Sequence, residues 1–163
     1  MSKPPNYRRS QIILHWVILL LIAFNIIAHD GMKAMYKARE DSTALASVDA
    51  VFGYLHIIVG ISVLVLAVLR LGLRLRHGAP AAPAGPRAQQ IASHVVHWAI
   101  YVLLFTLPLS GMSAWFANIP AAADAHELMK GALLLLVALH VAAALFHQFW
   151  LKDNLMARMS LRR

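Results

Sequence analysis

The sequence predicts an all-α fold, an integral membrane bundle of four helices formed by a single domain that covers residues 1–163. Two observations lead to this prediction. Of the 163 residues, 60% are hydrophobic and 13% are charged, whereas soluble domains are about half apolar and about a quarter charged. The hydrophobic residues also form four runs, at about 11–28, 51–73, 91–116 and 125–150. Each run is close to or above the ~20 residues that cross a bilayer.

The first run follows a short polar segment, residues 1–10, and carries His15 and Trp16 near its start. It is too long for the apolar part of a secretory signal peptide and lacks a small-residue cleavage site, so we expect a retained membrane helix. Residues 29–50 form a polar connection to the second run. That run carries His56 near its start, with Gly53 and Gly60 available for close helix packing.

The second half of the chain has the same alternation of apolar runs and connections. Residues 74–90 are basic and rich in proline and alanine, so we expect an irregular loop. The third run contains Pro108, which is expected to kink the helix. A short turn, residues 117–124, leads to the fourth run, and a basic tail follows it.

The distribution of lysine and arginine predicts the orientation in the membrane. These residues are concentrated before the first run, between the second and third runs, and after the fourth run. By the positive-inside rule, both termini lie in the cytoplasm and the other connections lie outside, which for a bacterial inner membrane means the periplasm. The formal charge of +8 then follows from topology, and no nucleic-acid partner is expected. The residues concerned are Lys3, Arg8, Arg9, Arg74, Arg76, Arg87, Lys152, Arg158, Arg162 and Arg163.

Histidines inside the fourth run are the strongest functional signal, because ionisable residues within a membrane span usually mark a functional site. His126 and His140 are fourteen positions apart, so they lie about 40° apart on one helix face with an axial separation of roughly 21 Å. His147 follows on the same face. The chain has no cysteine, which excludes iron–sulfur clusters, thiolate haem ligands and covalent c-type haem.

The predicted topology gives each of the two histidines a partner across the bundle. Paired neutral imidazoles are axial ligands of haem iron, so His56 with His126 and His15 with His140 are predicted to bind two non-covalent b-type haems. The motif His-Trp occurs in the first and third runs and hints at an internal repeat. His97 is therefore an alternative to His15.

The remaining histidines have other predicted environments. His94 and His97, where they are not ligands, are expected to contact haem propionates or a quinone, or to lie at the membrane interface. His29 and His77, at loop edges, are expected to be solvated.

Four stretches of the chain resemble the bacterial cytochrome b561 family, and in particular its small superoxide oxidase members. They read YRRSQIILHW, YLHIIVGISVLVLAVLRLGLRL, SHVVHWAIYVLLFTLPLSGM and LHVAAALFHQFWLKDNLMARM. The resemblance implies a di-haem protein with ligands at His15, His56, His126 and His140. It also implies ubiquinone near the cytoplasmic haem, in contact with His147, and oxidation of periplasmic superoxide with ubiquinone as acceptor.

The chain departs from this family pattern beside the outer haem. The third connection, ANIPAAADAHE, is short, and Lys130 takes an apolar position one turn after His126. The leading interpretation is a superoxide:ubiquinone oxidoreductase. In it, His147 serves as the hydrogen-bond or proton donor, and Lys33, Lys37, Arg39 and Lys130 steer the superoxide anion.

Two other interpretations remain open from the residues. The first is a partner-dependent electron-transfer subunit that works between quinone and a periplasmic redox protein. The second is a haem-free helical membrane protein, such as a transporter. In every case the lipid bilayer is the surrounding medium.

Overall fold

The computed structural model describes residues 6–81 and 85–161. In that part of the chain there are helices and no strands, in the order α1 (Arg9–Ile27), α2 (His29–Asp41), α3 (Ser47–His77), α4 (Arg87–Phe116) and α5 (Pro120–Phe146). A π-helical turn (His147–Leu151) and a 3₁₀ turn (Leu155–Met159) follow. The helices α1, α3, α4 and α5 with its π-helical turn are long and apolar enough to cross a membrane. The predicted all-α membrane bundle is confirmed.

The long helices pack in chain order, α1 on α3, α3 on α4 and α4 on α5. A small apolar core joins the first three, with Ile18, Val63, Ala67 and Leu104 at its centre. The spans alternate in direction, so the start of α1 and the segment after α5 meet: Trp16 Nε1 donates to the Met159 carbonyl at 2.9 Å. We call this end of the bundle the terminal end, and the other the opposite end.

The loop predicted at residues 74–90 is shorter in the structure, because α3 continues to His77 and α4 begins at Arg87. Arg74 and Arg76 therefore lie in the last turn of α3 and not in a loop. Leucines alternate with these arginines, and long basic side chains at a membrane helix end can extend to the interface. Residues 82–84 of the predicted loop, and the predicted basic residues Lys3, Arg162 and Arg163, lie outside the described residues.

The segment predicted as a polar connection contains α2, a helix of 13 residues that covers the opposite end. Its buried residues are Gly31 and Met35, four positions apart and so on one face. A Cβ added to Gly31 would lie 2.5 Å from Phe52 Cβ and 3.0 Å from the Asp49 carbonyl oxygen of α3. The two helices therefore touch at the backbone. The mean hydropathy of this segment alone did not reveal this contact.

Arg39 fastens α2 to the end of α4. Its Nη1 donates to the Trp115 carbonyl at 2.7 Å, and its guanidinium carbon lies 4.8 Å from the centre of the Trp115 ring. A cation over an aromatic face is attracted by the ring quadrupole. Arg39, which the sequence suggested for steering an anion, therefore also makes a structural contact.

The fourth membrane helix begins earlier than predicted. Pro120 occupies the first turn of α5, where its missing N–H is not needed, and the preceding turn is confined to residues 117–119. The chain after α5, predicted as a basic tail, folds back, and Arg158 Nη1 donates to the Ala81 carbonyl at 2.7 Å. α4 continues through Pro108 as one helix.

The close contact between α2 and α3 predicts that alanine at Gly31 and alanine at Gly72 change the free energy of unfolding differently. Gly31→Ala should lower the free energy of unfolding by about 1–3 kcal/mol, because neither Phe52 Cβ nor the backbone can move aside. Gly72→Ala, where a Cβ would meet nothing within 4 Å, should be neutral or stabilising by up to ~1 kcal/mol. Unfolding of both variants in detergent measures this, and equal stabilities would contradict it.

Candidate functional site

Two pairs of histidine rings face each other inside the bundle, one towards each end. At the terminal end, the ring centres of His15 (α1) and His140 (α5) are 6.2 Å apart. At the opposite end, those of His56 (α3) and His126 (α5) are 6.4 Å apart. Close packing of the long helices joins α1 to α3, α3 to α4 and α4 to α5. Each histidine pair therefore spans a gap between helices that are not closely packed.

The two separations fit a pair of imidazoles that bind one metal ion from opposite sides. A bond from a metal to an imidazole nitrogen is ~2 Å long and the ring centre lies about 1 Å further on, so the two ring centres are roughly 6 Å apart. Two nitrogen donors on opposite sides form the axial ligand set of a haem iron. The residues present at each end of the bundle thus fit a b-type haem.

The hydrogen bonds of His126 leave one nitrogen free for a metal. Its Nδ1 donates to the Leu107 carbonyl at 2.9 Å, and Ser110 Oγ lies 3.2 Å from the same nitrogen. Because a carbonyl only accepts, the proton is on Nδ1 and the lone pair is on Nε2. A metal-binding histidine usually donates its other N–H in this way, which fixes its orientation.

His56 has fewer hydrogen-bond partners than His126, and the same is true of the nearby Asn25 side chain. His56 Nδ1 and Asn25 Oδ1 are both buried without a hydrogen-bond partner among the described residues. The main-chain carbonyl of Asn25 lies beside the His56 ring. Gly60, one turn after His56, leaves room for the Asn25 amide, which would lie 3.6 Å from a Cβ there. No role was predicted for Asn25, although a polar side chain in a membrane span is itself a signal of function.

A cavity of about 650 Å³ opens beside the His56–His126 pair, within the size range of cofactor and ligand sites. Its inner wall is mostly apolar and its mouth is charged. Members of the wall include Ile22, Ile57, Val63, Leu104, Leu107 and Leu133, and the mouth carries His29, Lys33, Lys37, Glu40, Asp41, Glu127 and Lys130. Residues of α2, among them Met32, Lys33 and Tyr36, form one side of the cavity.

Lys130 is engaged by two neighbours at the cavity mouth. Its Nζ lies 2.5 Å from Glu127 Oε1 and donates to His29 Nε2 at 3.1 Å. The charge of Lys130 is therefore offset by a carboxylate. His29, predicted to be solvated, instead bridges the α1–α2 junction and α5. Lys33 is exposed at the same mouth and is not among the ion pairs of the described residues.

A third histidine joins the pair at the terminal end. The ring centres of His97 and His140 are 5.0 Å apart and the rings are edge-on, which is shorter than the separation across a shared metal. His97 Nδ1 donates to the Ser93 carbonyl at 2.6 Å. His94 is exposed and its Nδ1 donates to the Gln90 carbonyl at 2.9 Å. The structure thus brings His97, and not His94, to the His15–His140 pair.

His147 lies two turns beyond His140, at the start of the π-helical turn. Its Nδ1 is 2.5 Å from Asp153 Oδ2, and its Nε2 is 2.6 Å from the amide nitrogen of Gln89 on α4. The hydrogen bond from His147 lowers the pKa of Asp153 below its ordinary value. The sequence placed His147 correctly beyond the histidine pair, but neither partner was foreseen. His77, expected to be solvated, has a buried Nδ1.

Comparisons with known proteins extend over nearly the whole chain. Residues 6–160 match the family model for prokaryotic cytochrome b561. The chain is 38% identical to cytochrome b562 of Cereibacter sphaeroides, over 98% of each chain. It is 31% identical to the probable superoxide oxidase CybB of Yersinia pestis, over 94% of this chain and 95% of the relative. It is 29% identical to cytochrome b561 homolog 1 of Escherichia coli, over 97% and 98%.

The position of His126 predicts that Gly111 on α4 is needed for cofactor binding. A Cβ added to Gly111 would lie 3.0 Å from His126 Cε1 and Nδ1, so Gly111→Val should displace the ring and break its bond to Leu107. We expect the purified variant to lose the haem of the opposite end, measured as haem per chain by absorption. Gly131→Val on α5, where a Cβ meets nothing within 4 Å, is the control. Equal haem content in both variants would refute the assignment.

Proposed function

The chain belongs to the prokaryotic cytochrome b561 family, and from that premise we propose that it carries electrons across a bacterial inner membrane, from periplasmic superoxide to ubiquinone. Membership of the family supports electron transfer directly, since its members are membrane cytochromes b that transfer electrons through b-type haem. One observation carries the transmembrane route. His126 and His140 lie on one helix, roughly 21 Å apart along its axis, and each faces a second histidine.

Four histidines are proposed to hold the two haems. His56 and His126 would bind one at the opposite end, and His15 and His140 would bind the other at the terminal end. When bound, the haems supply one-electron redox chemistry. Each haem would be held by two histidines and would therefore transfer electrons without binding oxygen. The free Nε2 of His126 and the Leu107 carbonyl that fixes its ring support this part of the proposal.

The proposed orientation has the terminal end in the cytoplasm. Lysine and arginine residues of the described chain are more numerous there, and the positive-inside rule then applies. The terminal end carries Arg8, Arg9, Arg70, Arg74, Arg76, Arg87, Lys152 and Arg158, and the opposite end carries Lys33, Lys37, Arg39 and Lys130. Electrons would thus enter on the periplasmic side and leave on the cytoplasmic side.

Superoxide is proposed as the electron donor on two grounds. One relative is named as a probable superoxide oxidase. The cavity beneath α2 also suits a small anion, since Lys33 is exposed and lines it. Cationic groups beside a site raise the on-rate of an anion. Lys130, which is paired with Glu127, contributes less to steering than its sequence position suggested.

Ubiquinone is proposed as the acceptor at the terminal end, near His147. This residue lies about two turns, or roughly 10 Å, beyond His140 along the chain axis, and its ring is held in place by Gln89 and Asp153. His147 would hydrogen-bond to the quinone and supply a proton. His94 and His97 lie on the neighbouring helix α4 and remain candidates for contact with the quinone or with haem propionates.

A second candidate function is electron transfer between quinone and a periplasmic redox protein, with no small-molecule donor. The higher-identity relative, at 38%, carries only the name cytochrome b562. The ion pair of Lys130 with Glu127 also reduces the positive charge at the cavity mouth.

Single substitutions test the proposed ligand pairs. His56→Ala should remove one haem and leave the spectrum of the other, and His140→Ala should remove the haem of the terminal end. His77→Ala, at the end of α3 and outside the proposed sites, should keep both haems and serves as the control. Haem content and reduced-minus-oxidised spectra of purified variants measure this. Two bound haems in His140→Ala, or loss of haem in His97→Ala together with retention in His15→Ala, would contradict the map.

Rapid mixing distinguishes the two candidate functions. We expect superoxide to reduce the haem of the purified protein faster than its spontaneous dismutation, followed by quinol formation when a soluble ubiquinone is present. Lys33→Gln should slow the bimolecular step about 2- to 10-fold at low salt and less at high salt, because steering is screened. Lys152→Gln, at the other end, is the matched control. Haem reduction no faster than background would favour the protein-partner function.

A further inference from the structure

Arg70 is a positively charged residue of α3 that lies at the depth of the histidine pair at the terminal end. It follows His56 by fourteen positions, the same spacing that separates His126 from His140 on α5. This spacing covers roughly 21 Å of helix rise and returns to nearly the same face. The two helices run in the same direction, so α5 supplies a histidine at each end, whereas α3 supplies a histidine at the opposite end and an arginine at the terminal end.

The guanidinium of Arg70 is held in place by the start of α1. Its Nη1 donates to the Gln11 carbonyl at 2.8 Å, and the Gln11 side chain is itself buried. Gln11 lies about one helical turn before His15. From this position the charge of Arg70 acts on the rings of His15, His97 and His140. The arginine is therefore a fixed charge beside the histidines of the terminal end.

The charge of Arg70 is not offset by an acidic partner. Within the described part of the chain, no carboxylate forms an ion pair with Arg70, and its side chain is only partly exposed. A partly buried charge is screened by salt less than an exposed one. At the opposite end, in contrast, the ammonium of Lys130 is paired with Glu127 at 2.5 Å. The histidine pair at the terminal end thus experiences the more positive surroundings.

The distribution of acidic residues increases this difference between the two ends. The chain has seven aspartates and glutamates, and Asp153, which is paired with His147, is the one that lies at the terminal end. The others lie in α2 or near the starts of α3 and α5, at the opposite end: Asp30, Glu40, Asp41, Asp49, Asp124 and Glu127. Lysine and arginine are more numerous at the terminal end. The summed charges therefore make the electrostatic potential more positive there.

We propose that the charge of Arg70 makes the haem of the terminal end the easier of the two to reduce, which gives the electron a preferred direction across the membrane. This inference rests on the proposed function. Reduction adds one electron to a haem, and a nearby positive charge stabilises the reduced form relative to the oxidised form. Arg70 keeps its proton throughout, because a guanidinium is not deprotonated in proteins. An electron that enters at the opposite end is thus drawn towards the terminal end.

Redox titration of the purified, haem-loaded protein tests the order of the two haems. His56→Ala should retain the haem of the terminal end and His140→Ala the other, so the spectra of these variants assign the two midpoint potentials of the wild type. We expect the haem of the terminal end to have the higher midpoint potential. Equal or reversed midpoints would overturn the inference and leave the ligand map intact. A purified protein without bound haem would overturn the proposed function as well.

Substitution of Arg70 tests the contribution of its charge. Arg70→Gln should lower the equilibrium constant for reduction of the terminal-end haem about 10-fold, or about 59 mV for one electron, and should change the other haem much less. Arg70→Lys keeps the charge and should restore most of the midpoint potential. Arg76→Gln is the matched control, since Arg76 is exposed and lies about 120° around α3 from Arg70. It should leave both midpoints unchanged.

Haem content, measured alongside the potentials, separates a charge effect from a structural one. An unshifted midpoint in Arg70→Gln, or equal shifts in Arg70→Gln and Arg70→Lys, would overturn the inference. Loss of haem from Arg70→Gln with an unshifted midpoint in the remaining fraction would overturn it too, because Arg70 would then serve binding alone. If Arg70→Gln binds too little haem to titrate, the order of the two wild-type midpoints decides.

Discussion

Both nitrogens of an imidazole inside a bilayer need partners, and water is not there to supply them. The histidines in the middle of the bundle depend on this requirement. His126 meets it by giving one proton to the Leu107 carbonyl, which leaves the other nitrogen for a metal. Gly111 makes room for the ring. His56 lies beside Asn25 with one nitrogen unpaired. Close packing joins α5 to α4 and not to α1 or α3, so each histidine pair lies across a gap between helices.

Different segments of the chain cover the two ends of the bundle. At the opposite end, α2 covers the cavity and is fixed at one side by its backbone contact with α3 and at the other by Arg39 on Trp115. At the terminal end, the chain after α5 folds over His147 and is fastened by Arg158 and by Trp16. Both covers leave charged or polar side chains at their edges.

The sequence predicted the functional helix well and its surroundings poorly. The spacing of His126, His140 and His147 on one face follows from helix geometry alone, and the structure keeps all three on one continuous helical segment. The helix α2 escaped prediction because its few buried residues, Gly31 and Met35, lie among charged ones that dominate mean hydropathy. His29 looked solvated since it borders a polar stretch, yet it contacts Lys130, a residue 101 positions away.

The sequence by itself determined the four membrane spans, the absence of cysteine chemistry and the histidine-bearing face of α5, because hydropathy and helical periodicity are local properties. Only the tertiary structure decided the partners of those histidines. Gln89 and His147 are 58 positions apart and meet at 2.6 Å. His97 lies closer to His140 than His15 does. Such contacts depend on how the helices are rotated and spaced against one another, and that arrangement is set by packing over the whole bundle.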